Sequence, residues 1–145
     1  MDRMHKVYAY ITDGNHLLVF DHLHFPEAGT QVPGGTLEPG EDPDAGVMRE
    51  AREETGLDGL RMCARLGEVD RVFPELGQVH HRHYYHLICD SVPPERWCHD
   101  EMNPSDGSLA PITFVLYWVL LPDGVPELIA GMGEMLPSLC AELGL

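Results

Sequence analysis

The chain has 145 residues, 43% of them hydrophobic and 23% charged, and its 24 acids against nine lysines and arginines leave a net charge of −15. That length predicts a single domain, residues 1–145, with a sizeable core. The acidic balance excludes the basic footprint that duplex nucleic acid or an anionic membrane requires, but it admits a small anionic ligand bridged to carboxylates by metal ions.

Residues 6–12 alternate and are rich in β-formers, so they predict a strand. Asp13, Gly14 and Asn15 signal a turn, and residues 16–20 predict the returning strand. Residues 26–29 break the pattern, and residues 30–32 form a short extended piece that leads into Pro33, Gly34 and Gly35. A helix follows. Asp42 suits its cap, Pro43 its first position and Asp44 its positive end. Ala45, Met48, Ala51 and Thr55 predict a modest inward stripe, and Gly56 suits the left-handed residue that ends a helix. Residues 60–72 and 79–89 predict two more strands, and residues 91–108 a long loop. Residues 112–121 are apolar at both parities, with Phe114, Leu116 and Trp118 on one face and Val115, Tyr117 and Val119 on the other, as in a strand covered on both sides. Residues 126–143 predict a helix that Pro137 kinks or splits. This order gives an α+β pattern with a mixed sheet covered on both faces.

The four cysteines, Cys63, Cys89, Cys98 and Cys140, form no CxxC pair, which points to free thiols in a reducing cytoplasm. The N-terminus lacks the apolar run of a signal peptide. The longest apolar run, residues 114–121, falls far short of the ~20 residues a membrane helix needs. A soluble cytoplasmic protein is expected. Its oligomeric state is left open, a homodimer included.

Glu50, Glu53 and Glu54 stand at i, i+3 and i+4, on one narrow helix face. Like charges four apart cost a helix roughly 0.2–0.5 kcal/mol, and a hard divalent cation with oxygen ligands would neutralise them. EAREE alone is also a common solvated face. The wider spacing is more specific: Gly35, five residues, Glu41, seven residues, Arg49-Glu50-Ala51, one residue, Glu53-Glu54, one residue, Gly56-Leu57.

Residues 35–57 resemble the Nudix box without a mismatch, and the chain is thereby similar to the Nudix hydrolases. The resemblance implies an α/β/α sandwich with a central mixed sheet. It implies hydrolysis of a pyrophosphate in a small nucleoside diphosphate derivative or nucleoside triphosphate, with Mg²⁺ or Mn²⁺ as cofactor. It further implies Glu50, Glu53, Glu54 and the Gly35 carbonyl as metal ligands, Arg49 as a positioning residue and Glu41 in support. Glu53 is the first candidate for general base, with Asp100 and Glu101 as alternatives from the predicted loop.

Outside the box, residues 79–86 read VHHRHYYH. On a strand, His80, Arg82, Tyr84 and His86 share one face and His81, His83 and Tyr85 the other. A zinc site wants three or four converging ligands, and this strand offers two at a time with no cysteine or second histidine pair placed to complete the set. The preferred reading is that one face borders a substrate cleft. Arg71, Arg82 and Arg96 are the candidates for phosphate, and Phe73, Tyr84 and Trp97 for base stacking. A non-catalytic nucleotide sensor and a Nudix-fold isomerase acting on isoprenoid diphosphates are the competing functions. Retention of every box carboxylate favours the hydrolase over the sensor.

Overall fold

The computed structural model describes residues 1–102 and 110–145. Among these, seven strands form one sheet: β1 (Asp2–Asp13), β2 (His16–His22), β3 (Gly34–Thr36), β4 (Leu60–Phe73), β5 (Gln78–Cys89), β6 (Arg96–Glu101) and β7 (Ile112–Leu120). The order is β4-β5-β1-β2-β7-β6, with β3 paired to β1. β1 runs parallel to β5 along almost its whole length, and the other pairings are antiparallel. The second edge of β1 is shared. Lys6, Val7 and Tyr8 pair with β3, while Thr12 and Asp13 turn back into β2.

Two helices cover opposite faces. α1 (Pro43–Thr55) lays Val47 and Ala51 on a core built from Val7, Ala9, Ile11, Leu18, Phe20, Tyr85, Leu87 and Leu116. α2 (Leu136–Leu143) lays Leu139 on the other core, with Tyr8, Tyr10, Leu17, Val19, Val32 and Tyr84. The alternation of β1 thus feeds both cores. The expected α/β/α arrangement with a mixed central sheet is what the chain adopts. No helix among the described residues is long and apolar enough to cross a membrane.

The caps of α1 fall where the residue types predict. Asp42 accepts from the Ala45 N–H at 3.2 Å, Pro43 opens the helix, and Gly56 closes it at φ +71°. Its inward face differs from the expected stripe. Ala45 is exposed, while Gly46, Val47, Glu50, Ala51, Glu54 and Thr55 are buried. An apolar stripe is found by hydrophobicity, and this helix turns two carboxylates inward instead.

Two further expectations need correction. Residues 96–101 form a strand rather than loop, paired to β7 along its length, and residues 103–108 of the expected loop lie outside the described residues. The polar composition of β6 reflects its place at the sheet edge. The expected helix over residues 126–143 shrinks to α2, with Pro137 in its first turn. Gly131 at φ +68° and Ala130 at φ +52° hold the preceding segment in a tight turn. Leu128 and Met132 reach the core from that turn without helical spacing.

A buried ion pair ties this C-terminal segment to the sheet. Arg82 on β5 is fully buried, with its guanidinium 5.2 Å from the Tyr8 ring and 5.5 Å from the Phe73 ring. Its Nη1 donates to Glu134 Oε2 at 2.9 Å, and the Tyr84 hydroxyl donates to the same oxygen at 2.6 Å. Removing one partner of a buried pair leaves the other charge uncompensated and costs about 3–5 kcal/mol. Glu134→Ala should therefore lower the unfolding free energy by about 3 kcal/mol in urea titration. An unchanged midpoint would show that the pair does not anchor the segment.

Candidate active site

β3 brings the glycine pair beside the inner face of α1. A Cβ on Gly35 would stand 2.5 Å from the Glu50 carboxyl carbon, and one on Gly34 would stand 2.4 Å from both the Tyr8 ring and the Val7 carbonyl. Gly34 has no room for a side chain because β1 stands in the way, whereas at Gly35 the obstacle is the end of the Glu50 side chain. The Gly34 N–H donates to Glu54 Oε1 at 2.5 Å, so the loop backbone holds the carboxylate at the end of α1.

Arg49 organises the acids around it. It grips Glu41 through two bonds, Nε to Oε2 at 2.7 Å and Nη2 to Oε1 at 2.8 Å. Its Nη1 reaches Glu50 at 3.1 Å and Glu53 at 3.3 Å. The fork-shaped guanidinium suits this work, because two parallel bonds fix the plane of the group. Glu41 in turn accepts from the Glu38 N–H at 3.0 Å, which ties the loop before α1 to the helix.

Gly34, Gly35, Glu50, Glu53, Glu54 and Glu101 share one cleft of about 340 Å³, along with Thr36, Glu38 and Arg49. The arrival of Glu101 depends on β6. Trp97 Nε1 donates to the Thr55 carbonyl at 2.8 Å, and His99 Nε2 lies 2.9 Å from the Glu53 carbonyl. These contacts pin β6 to the C-terminal turn of α1 and carry Glu101, at the end of the strand, to the acids. Asp100 points elsewhere, accepting from the Thr113 hydroxyl at 2.6 Å.

Burial sets the acid–base character of this cluster. The Glu50 carboxyl is pushed up to about 7, chiefly by burial, against the pull of Arg49 and with help from Glu53 and Glu101. Glu54 is raised well above the usual carboxylate range by burial, opposed by the Gly34 N–H. Glu41 is held down at about 2 by its bonds to Arg49. Lys6, the sole lysine, is lowered by burial, donates to the Thr36 hydroxyl at 2.6 Å and feels the charge of Glu50. Sequence reasoning passed over Lys6 because a lone lysine on a strand carries no spacing signal. It missed Glu134 because a single acid in an expected helix carries no sign of its distant partner Arg82.

The basic and aromatic candidates outside the box scatter. Arg82 and Tyr84 are both buried and committed to Glu134, so in this arrangement they serve as core ties and not as open ligand contacts. Alternation along β5 placed them on one face, but only the packing of the C-terminal turn over that face closed it. Arg96 lies over the Tyr117 ring at 5.1 Å, and Trp97 is taken up by α1. Arg71 is 44% exposed, pairs with Glu134 at 3.3 Å, and borders a cavity of about 600 Å³ with Glu127, Glu134 and Leu136.

An all-oxygen donor set of box carboxylates around a glycine backbone fits a hard divalent cation. The absence of a Cβ at Gly35 fits it too, because it lets Glu50 close on the backbone.

The NUDIX domain family matches residues 2–137, and the chain belongs to that family. Among curated proteins it is similar to the diphosphoinositol polyphosphate phosphohydrolases 3-alpha and 3-beta of Mus musculus. Each is 36% identical over 66 residues, covering 46% of this chain and 37% of the relative. The chain thus spans well under half the length of these curated relatives. Among solved structures it is similar to a MutT NUDIX hydrolase from Burkholderia pseudomallei, with a TM-score of 0.69 and 21% identity over 96% of this chain and 99% of that one. A UDP-X diphosphatase gives a TM-score of 0.69 at 16% identity, over 99% of this chain and 64% of that one. At these identities the structural likeness speaks for the fold.

The raised carboxyls carry a consequence for stability. The folded-state value of Glu50 lies above its unfolded value, so the folded protein binds the extra proton between pH 4.5 and about 7. Stability contributed by the neutral carboxyl is present below that window and is lost as pH rises through it. In metal-free protein, Glu50→Gln should leave the melting temperature near wild type at pH 4.5 and raise it by about 5 °C at pH 8. Scanning calorimetry of both proteins across that range is the check, and a pH-independent difference would refute the burial of an ionised Glu50.

Proposed function

We propose that the chain is a metal-dependent pyrophosphohydrolase that cleaves a small nucleoside diphosphate derivative or nucleoside triphosphate. The observation that carries this reading is the single cleft lined by Gly35, Glu50, Glu53, Glu54 and Glu101 within a NUDIX domain. Glu50, Glu53, Glu54 and the Gly35 carbonyl would hold Mg²⁺ or Mn²⁺, which when bound screens the pyrophosphate charge and supports the leaving phosphate.

The chain's own groups divide the remaining work. Arg49 orients Glu50 and Glu53 from one guanidinium while Glu41 holds it in place. Water attacks one phosphorus, its proton passes to a carboxylate, and the bridging oxygen leaves with the other phosphate. For the proton acceptor, Glu53 is the first candidate, half-exposed in the cleft and oriented by Arg49. Glu101, in the same cleft, is the second candidate.

Charge supports a small substrate. At −15 the chain repels polyanions, and salt screens that repulsion only beyond ~10 Å at 0.1 M. The names of the mouse relatives point to a diphosphoinositol polyphosphate. Such a substrate concentrates more negative charge than nine lysines and arginines, several already paired, are placed to balance. A nucleotide already carrying Mg²⁺ meets little of this repulsion.

Assay of a nucleotide panel with Mg²⁺ should release a nucleoside monophosphate, stop with chelator and recover with Mg²⁺ or Mn²⁺. Glu54→Gln should lower kcat at least ~100-fold while the protein stays folded, which a non-catalytic sensor would not do. Glu53→Gln should cost more in kcat than Glu101→Gln, the reverse moving the base to β6. Turnover of inositol pyrophosphates with none of nucleotides would overturn the substrate class and its electrostatic argument.

A further inference from the structure

A second concentration of ligand-type side chains lies outside the carboxylate cleft, on β4 and β5. The pairing sets Glu68 opposite His83 and Asp70 opposite His81. Residues two apart on a strand share a face, so these four project together on the α1 side of the sheet. Glu68 Oε1 lies 2.7 Å from His81 Nε2 and 3.4 Å from His83 Nδ1. The three donor atoms all fall within 4.8 Å of one another, as no trio of box carboxylates does among the described residues. Ligand atoms around a tetrahedral zinc ion at ~2.0–2.1 Å stand about 3.3 Å apart, so the trio needs only small rotations to close on an ion.

The surroundings fit the same chemistry. Asp70 Oδ1 sits 2.6 Å from His81 Nδ1, on the far side of that ring from Glu68. A carboxylate there keeps the proton on Nδ1 and leaves the Nε2 lone pair for a metal, the usual support for a metal-bound imidazole. Arg3 neutralises Asp70 from outside at 3.1 Å. Both imidazoles are mostly shielded, 21% and 18% exposed, while Glu68 is 59% exposed. His83 also borders two cavities beside the start of α1, of about 200 and 470 Å³, which give a fourth coordination position access to solvent. A plain ion-pair network explains the bonds of His81. In addition, His83 brings its own ring nitrogen to the same Glu68 oxygen, so both imidazoles converge on one carboxylate.

We propose that Glu68, His81 and His83 form a transition-metal site, separate from the box carboxylates, that takes Zn²⁺ or a similar borderline divalent ion. Two imidazoles and one carboxylate select such ions, whereas the all-oxygen cleft selects Mg²⁺ or Mn²⁺. Three protein ligands leave one position for water or an external ligand.

Isothermal titration of the full chain with Zn²⁺, cysteines alkylated and Mg²⁺ in large excess, tests this. One ion per chain should bind, and Co²⁺ in its place should give the visible absorption of a four- or five-coordinate site. Glu68→Gln and His83→Gln should each weaken Zn²⁺ by at least ~10-fold, and Asp70→Asn by about 10-fold through His81. Glu53→Gln should leave Zn²⁺ binding unchanged. Glu68 is exposed, so its variant keeps the test valid if His83→Gln misfolds. Zn²⁺ binding that is absent, that is lost in Glu53→Gln, or that survives in Glu68→Gln would overturn the site.

Discussion

Two carboxylates turned inward from one helix set the terms for this fold. Glu50 and Glu54 are buried on α1, where a regular amphipathic helix would place aliphatic side chains. Desolvating a carboxylate is costly unless hydrogen bonds or opposite charge compensate. The neighbouring structure supplies those partners: the Gly34 N–H for Glu54 and the Arg49 guanidinium for Glu50. Glycine at 34 is a steric condition, since a side chain there would collide with β1, and glycine at 35 leaves Glu50 room against the backbone.

The rest of the domain holds that cluster rigid. The Asp42 cap and Gly56 fix where α1 begins and ends, and the Trp97 indole binds its last carbonyl turn. β6 therefore works as a clamp as well as an edge strand, and Glu101 reaches the acids because of it. On the opposite face the strategy is reversed. There Arg82 is the buried charge, stacked between Tyr8 and Phe73 and paired with Glu134. A chain with nine lysines and arginines spends one of them entirely on packing.

The histidine-rich strand shows how pairing changes the reading of a motif. Along β5 alone the histidines alternate and offer two ligands at best. The antiparallel partner contributes Glu68 opposite His83 and Asp70 opposite His81, residues more than ten positions earlier in the chain. The β4 register, with its irregularities near Ala64 and Gly67, decides which acid meets which ring.

Local signals were enough for α1, its caps, the β1–β2 turn and the two-sided strand β7, because each rests on short-range geometry. The spacing of Glu50, Glu53 and Glu54 likewise placed three acids on one helix face. Where contacts come from afar, the sequence was silent or misleading. The polar residues 96–101 became a strand because β7 offered an open edge, and residues 126–135 lost their helix to glycine turns that bury the same apolar side chains. Arg82 is an open phosphate contact by alternation and a core tie by tertiary packing, since only Glu134, 52 residues away, determines whether its charge faces a ligand or a partner. The sequence by itself determined the family, the carboxylate helix and its glycine loop, all set by bonds and spacings within 23 residues. The tertiary structure alone decided which carboxyls are buried, that Glu101 joins them, and which cations remain open, because burial and pairing are properties of surfaces brought together across the sheet.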